Sequence, residues 1–235
     1  MPEKLNKREY NLKYPRRNGW YYSNGEDFVF GERKASVTNV LDVLNKGGLM
    51  YWGMQQTARL LMDQPILLNE TEREVIGRVY KMVGRKAEVG TTVHSLANKY
   101  SQGMKIKIDK IAGELQPYVL AFMKFLEETK PTVLLTEKIV YCKAGWAGRI
   151  DLLLEHQDKS IGLYDIKTGN VYPNHGLQLS AYEACLLEMS LVKAIDVTAC
   201  LQLKDDGNYN LITLNEPLEV FKACLEIFRW KKGDT

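Results

Sequence analysis

After Pro131 the chain runs through three apolar segments in close succession, "TVLLTEKIVYC", "WAGRIDLLLEH" and "SIGLYDIKT". They are rich in Val, Ile, Leu and Tyr and are parted by Gly or charged turns, a texture that predicts three successive β-strands. Around them the sequence reads as helix over about 72–100, 114–129, 174–189 and 217–232, with further strands near 194–203 and 208–214. Residues 1 to about 35 are polar and turn-rich, with a short strand expected at "DFVF". "SVTNVLDVL" opens a helix that Ser36 or Thr38 can cap, and "GLMYWGMQQTARLLMD" continues as a second helix. In that helix Leu49, Trp52 and Leu60 form a core-facing stripe, interrupted by Gln56. The expectation is a mixed α/β (α+β) chain: a central mixed β-sheet flanked by helices.

At 235 residues and 45% hydrophobic, the chain can bury one sizeable core. The expected division is a strand and helical extension over 1–70, packed on a core over 71–235. The formal charge of +3 balances 32 basic against 29 acidic residues, which excludes a polybasic binder and makes any affinity for nucleic acid local. Cys142, Cys185, Cys200 and Cys224 show no paired or clustered spacing, so reduced, buried thiols are expected and an iron–sulfur cluster is not. No apolar run approaches membrane-spanning length and the N-terminus has no apolar signal-like stretch, so the expectation is a cytoplasmic protein without membrane partners.

Within the apolar strands sit charged residues that need an explanation. Residues two apart on a strand share a face, so Asp165 and Lys167 project together, as do Arg149 and Asp151 one strand earlier. If the two strands form a hairpin, Asp151 and Asp165 converge beside Lys167. Two adjacent carboxylates repel, and a divalent cation removes that cost. Oxygen ligands suit Mg²⁺ or Mn²⁺, and a lysine ammonium adds a point charge able to orient an attacking water. Taken alone, a D-x-K is better explained by a structural salt bridge at a sheet edge. Further candidates are Gln178 and Tyr182, one helical turn apart, and His94, with Gly90 four residues before it to leave room over the imidazole. Glu137 is a further acid in the first strand, expected to be exposed. Arg16, Arg17, Lys34, Arg149 and the terminal "RWKK" are candidates for phosphate contacts.

Taken in order, G-x-x-x-H at 90–94, G-R-I-D at 148–151, D-I-K at 165–167 and Q-x-x-x-Y at 178–182 resemble the PD-(D/E)XK nuclease superfamily. Within it the set looks most like the RecB-like branch, and "SVTNVL…LMYW" resembles the N-terminal helical part of phage-type members. The resemblance implies a restriction-endonuclease-like core with an N-terminal helical addition. It implies a metal held by His94, Asp151, Asp165 and the backbone carbonyl of Ile166, with Lys167 catalytic beside Asp165 and Asp151. Gln178 and Tyr182 support the site and the DNA, and Arg149 joins them in holding substrate. The implied activity is a Mg²⁺- or Mn²⁺-dependent DNA exonuclease of recombination, repair or phage DNA metabolism, in a bacterial or phage-infected cell. An endonuclease using the same site, or a non-catalytic nucleic-acid-binding subunit, are the alternatives. No helicase motor is encoded, so DNA that is single-stranded or has a free end is the expected substrate, and a helicase or a recombination and annealing protein the expected partner. With a histidine ligand, metal affinity should fall as pH drops through about 6.5.

Overall fold

Two of the three apolar segments do not make single strands. In the computed structural model, which describes residues 16–17, 19–22, 32–44, 47–67 and 69–233, each is divided by a bend and contributes to two sheets. The strand expected at "DFVF" lies outside the described residues. The chain order is β1 (Arg16–Arg17), β2 (Trp20–Tyr22), β3 (Arg33–Ser36), a single turn α1 (Val37–Val40), α2 (Gly47–Asp63), α3 (Glu72–Ser101) and α4 (Gln116–Thr129). There follow β4 (Thr132–Thr136), β5 (Ile139–Tyr141), β6 (Trp146–Arg149), β7 (Leu152–Glu155), β8 (Ile161–Lys167), α5 (Pro173–Glu188), β9 (Val197–Leu203), β10 (Tyr209–Thr213) and α6 (Leu218–Lys232). One sheet has the order β1-β2-β3-β6-β5 and the other β10-β9-β8-β7-β4. Both are mixed: β3 lies parallel to β6 and β8 parallel to β9, while every other pairing is antiparallel. The fold class is mixed α/β, as the sequence predicts.

The bend has a local cause. Glu137, between β4 and β5, adopts φ 50°, a left-handed conformation that costs a non-glycine residue about 1 kcal/mol or more. Across from it the chain turns at Ile150–Asp151, between β6 and β7. The two corners stay bonded to each other: Glu137 N–H donates to the Asp151 carbonyl at 3.2 Å, and Ile150 N–H donates to the Lys138 carbonyl at 2.9 Å. A long β-hairpin is thus bent sharply at one level, so that its two halves join different sheets.

Period-2 alternation sorts the second sheet into two apolar faces. Leu152, Leu154, Tyr164, Ile166, Ala199 and Leu201 pack under Val93 and Ala97 of α3 and Phe122 and Phe125 of α4. Leu153, Leu163 and Cys200 face the other way, into a core shared with α5, α6 and Trp146 of the first sheet. The C-terminal half of α3 therefore buries one face, through Val93 and Ala97, whereas its first turns, with Ile76 and Tyr80, are exposed. Thr71 caps α3: its side chain accepts from Glu74 N–H while the Glu74 carboxylate accepts from Thr71 N–H, a capping box.

Several sequence expectations change in detail. Ser36 stands at the N-cap position of α1 but makes no side-chain cap bond; its hydroxyl pairs with that of Thr38 at 3.2 Å. Gln56 is itself buried, with its amide oxygen accepting from Lys86 Nζ at 2.9 Å; of the expected stripe Leu60 is also buried, and the side chains of Leu49 and Trp52 lie outside the described ones. Lys34 is buried and ion-paired with Glu32 at 2.6 Å, so it does not present a charge to a phosphate. All four cysteines are free and buried, as expected.

Helix α5 seats on β6 because Gly148 has no side chain. A methyl group there would lie 2.3 Å from Cε1 of Tyr182. Gly148→Ala is therefore expected to force Tyr182 from its place and lower stability by about 1–3 kcal/mol, read as a fall in the urea midpoint at unchanged m-value. A midpoint equal to that of the parent would contradict this seating of α5.

Candidate active site

The pairing of β7 with β8 sets the site. Leu152 lies opposite Tyr164, so the next pair outward brings Asp151 level with Asp165, as the hairpin reading anticipates. Asp151 has just left the sheet at the bend, and its carboxylate turns back to accept from the Ile166 N–H at 2.8 Å. Ile166 thus serves Asp151 through its amide. Its other neighbour, His94 Nδ1, lies 3.3 Å from the second carboxylate oxygen. His94 comes from α3, one residue after the buried Val93, and reaches the end of the sheet from the face opposite α5.

Asp165 is nearly inaccessible, at 3% exposure, and its oxygens are fully engaged. Lys167 Nζ lies 2.6 Å from Oδ2, Gln178 Nε2 donates to Oδ1 at 2.8 Å, and the Cys200 thiol approaches Oδ2 at 3.7 Å. Gln178 also lies 3.5 Å from the Tyr182 hydroxyl, so the two candidates a helical turn apart form one chain of contacts to Asp165.

Glu137 departs from expectation. It is not an exposed strand residue: its side chain is 19% exposed and pairs with Arg149 at 2.9 Å. Arg149 and Asp151 do not share a strand face, because the bend separates them. Among the described residues, His94, Glu137 and Asp151 form a group whose ligand atoms lie within 4.8 Å of one another. One nitrogen and two carboxylates at that spacing fit a divalent cation. An acid directly after an apolar strand, one strand before G-R-I-D, was the available sequence signal. The left-handed backbone that turns Glu137 inward was not legible. At Gly90 a methyl group would meet only Thr168 Oγ1, at 3.4 Å, so α3 passes close to the end of β8 there.

Electrostatics bind these groups into one unit. Burial opposes the His94 imidazolium, but Asp151 outweighs it and raises its pKa to about 9, above the ordinary value near 6.5. Burial likewise opposes the Asp151 carboxylate, yet His94, Lys167 and the Ile166 amide hold it down at about 2. Asp165 is pushed up by burial, against the pull of Lys167, and Lys167 stays cationic because Asp165 and Asp151 overcome its own burial. Burial drives Tyr182 well above the usual phenol range and, with Asp165, the Cys200 thiol to about 12. Without metal, two acids are thus balanced by His94 and Lys167.

No protein-family model and no curated protein matches the sequence. In structure the chain is similar to the alkaline exonuclease LHK-Exo from Laribacter hongkongensis, at 16% identity over 84% of this chain and 87% of that one, TM-score 0.40. It is also similar to a protein from Eubacterium rectale described as a candidate exonuclease, at 10% identity over 99% of this chain and 88% of that one, TM-score 0.46. A third likeness is to SSO0001, at 13% identity over 94% and 81%, TM-score 0.40. Likeness at these TM-scores carries no functional inference. The residues of the site carry it instead.

His175 lies beside the site at the start of α5, where its Nδ1 accepts from Tyr172 N–H at 3.1 Å. Burial and then the Lys167 charge lower its pKa to about 4. Since the folded value is below the unfolded one near 6.5, its contribution to stability is complete above pH 6.5. It is lost progressively as pH falls toward 4, because only the unfolded chain takes up the proton. His175→Gln keeps a backbone acceptor at the same helical position without the titration. Thermal midpoints of the variant should therefore fall less between pH 6.5 and 4 than those of the parent; parallel profiles would exclude His175 as the cause.

Proposed function

We propose that this chain is a Mg²⁺- or Mn²⁺-dependent deoxyribonuclease, acting as an exonuclease on DNA that is single-stranded or has a free end. The observation that carries the reading is the buried Asp165–Lys167 pair, 2.6 Å apart, set directly beside the Asp151–His94 pair at the end of the sheet. A structural salt bridge explains one such pair. It does not explain two acids crowded together with a histidine, a lysine and a glutamine drawn from both faces of a sheet. The ordered motifs, which resemble the RecB-like branch of the PD-(D/E)XK nucleases, imply these roles for the same residues.

His94 and Asp151, with Glu137 in reach, would hold the cation; the resemblance implies Asp165 and the Ile166 carbonyl as further ligands, and Asp165 would join by giving up a contact to Lys167 or Gln178. When bound, the cation supplies polarisation of a phosphoryl oxygen and acidification of water. The protein's own groups do the rest. Lys167 keeps its proton, so its ammonium can orient water toward phosphorus and offset the negative charge that grows on the phosphate oxygens. Gln178 fixes the rotamer of Asp165, and Tyr182, seated on Gly148, fixes Gln178. The Ile166 amide keeps Asp151 aimed at His94. Hydrolysis adds the water oxygen to phosphorus, breaks one P–O ester bond and leaves the departing oxygen protonated. Arg149 is tied to Glu137 and would reach a phosphate only by sharing or leaving that pair. Recombination, repair or phage DNA metabolism in the cytoplasm, with a helicase or annealing protein as partner, is the setting this activity fits.

Asp165→Asn and Lys167→Ala should each reduce cleavage of end-labelled DNA by at least about a hundredfold, with little change in the far-ultraviolet spectrum, because each removes charge at the reacting centre. Cleavage within a few-fold of the parent by either variant would refute the assignment. An exonuclease spares circular single-stranded DNA and degrades the linear form. Equal cutting of both would replace the exonuclease reading with the endonuclease one.

A further inference from the structure

We propose that Tyr172 is a base-stacking platform for the nucleotide adjoining the scissile phosphate. The inference rests on the DNA nuclease reading and extends it to a residue that none of the motifs includes. Tyr172 follows Lys167 by five residues and occupies the N-cap of α5, the helix that carries Gln178 to Asp165. His175 and Gln178 are three apart on that helix, so they share a face about 4.5 Å apart along its axis. His175 therefore stands one turn outward from Gln178, the residue that holds Asp165, and Tyr172, in ring contact with His175, stands nearly a turn farther out. The lowering of the His175 pKa by Lys167 agrees with that nearness.

Tyr172 is 46% exposed, unlike Tyr164 and Tyr182, whose rings are buried in the core. Exposure alone would mean little, but this tyrosine is also held in place. Its amide donates to His175 Nδ1, its ring meets the His175 ring edge-on with centroids 5.9 Å apart, and Asn170 Nδ2 donates to its hydroxyl at 3.4 Å. The loop leading to it is anchored from β9, where Gln202 Nε2 donates to the Gly169 carbonyl at 2.9 Å; Asn210 Nδ2 on β10 donates in turn to the Gln202 oxygen at 3.2 Å. An exposed aromatic that is already ordered loses little entropy when a base stacks on it. No core position requires such a ring, since α5 needs only the Tyr172 backbone at its N-cap.

The test is fluorescence anisotropy of a labelled single-stranded oligonucleotide with full-length Asp165→Asn protein, which should bind without cutting. Adding Tyr172→Ala should weaken binding about 5- to 100-fold while leaving the slope of log Kd against log salt unchanged, because a stacking contact releases no counterions. Tyr172→Phe, which keeps the ring, should bind within about twofold of the Asp165→Asn parent. Replacing bases one at a time by abasic sites should reveal one position that weakens the parent but not the Tyr172→Ala variant. Tyr172→Leu takes the place of Tyr172→Ala if thermal melting shows the latter unfolded. Equal affinity of parent and Tyr172→Ala, or a loss accompanied by a shallower salt slope, would overturn the stacking role alone. Absence of any DNA binding by the parent would overturn it together with the nuclease reading.

Discussion

Two aspartates cannot occupy the end of one sheet without nearby positive charge, and the rest of this site follows from that requirement. Asp151 and Asp165 are brought level by the register of β7 and β8, a register fixed by which of their side chains enter the two apolar cores. Slipping it by one residue would turn the aspartates, together with every leucine, to the wrong side. The compensation comes from two directions: Lys167 from the same strand as Asp165, and His94 from the helix covering the other face. With both in place Asp151 stays ionised although buried, while burial still pushes Asp165 upward, a residual cost that a divalent cation beside both acids could remove.

The bend in the hairpin makes this possible. A straight hairpin would carry Arg149 and Asp151 on one face and leave Glu137 exposed along β4–β5. Bending at Glu137 and Ile150–Asp151 frees the Asp151 carboxylate to turn toward the Ile166 amide and draws Glu137 inward with Arg149. A left-handed glutamate at this point is a local cost of the kind that folds accept at functional sites. The bend also explains how α5 reaches both sheets: it lies on Gly148 of one and offers Gln178 to the other.

Much of this was legible in the sequence, and the reasons are physical. The helices and the strand β8 announce themselves through composition and period, and the Asp165–Lys167 pairing follows from the two-residue repeat of a strand. Residues three or four apart on a helix share a face, which makes the Gln178–Tyr182 contact readable in advance. The divided strands were not legible, because "TVLLTEKIVYC" and "WAGRIDLLLEH" are apolar on both sides of their bends and contain no proline or glycine at the corner. The inward turn of Glu137 is hidden for the same reason: only its backbone conformation brings it toward His94.

The decisive property of this site is whether the sheet end holds a divalent cation. The direct measurement is Mn²⁺ uptake by the full-length protein, followed by electron paramagnetic resonance of the free ion, for the parent and for Asp151→Asn. The parent should bind Mn²⁺ saturably, and Asp151→Asn should lose at least about tenfold in affinity while remaining folded. Superimposable titrations of the two folded proteins would contradict the account, since the carboxylate beside His94 would then have no part in holding a metal.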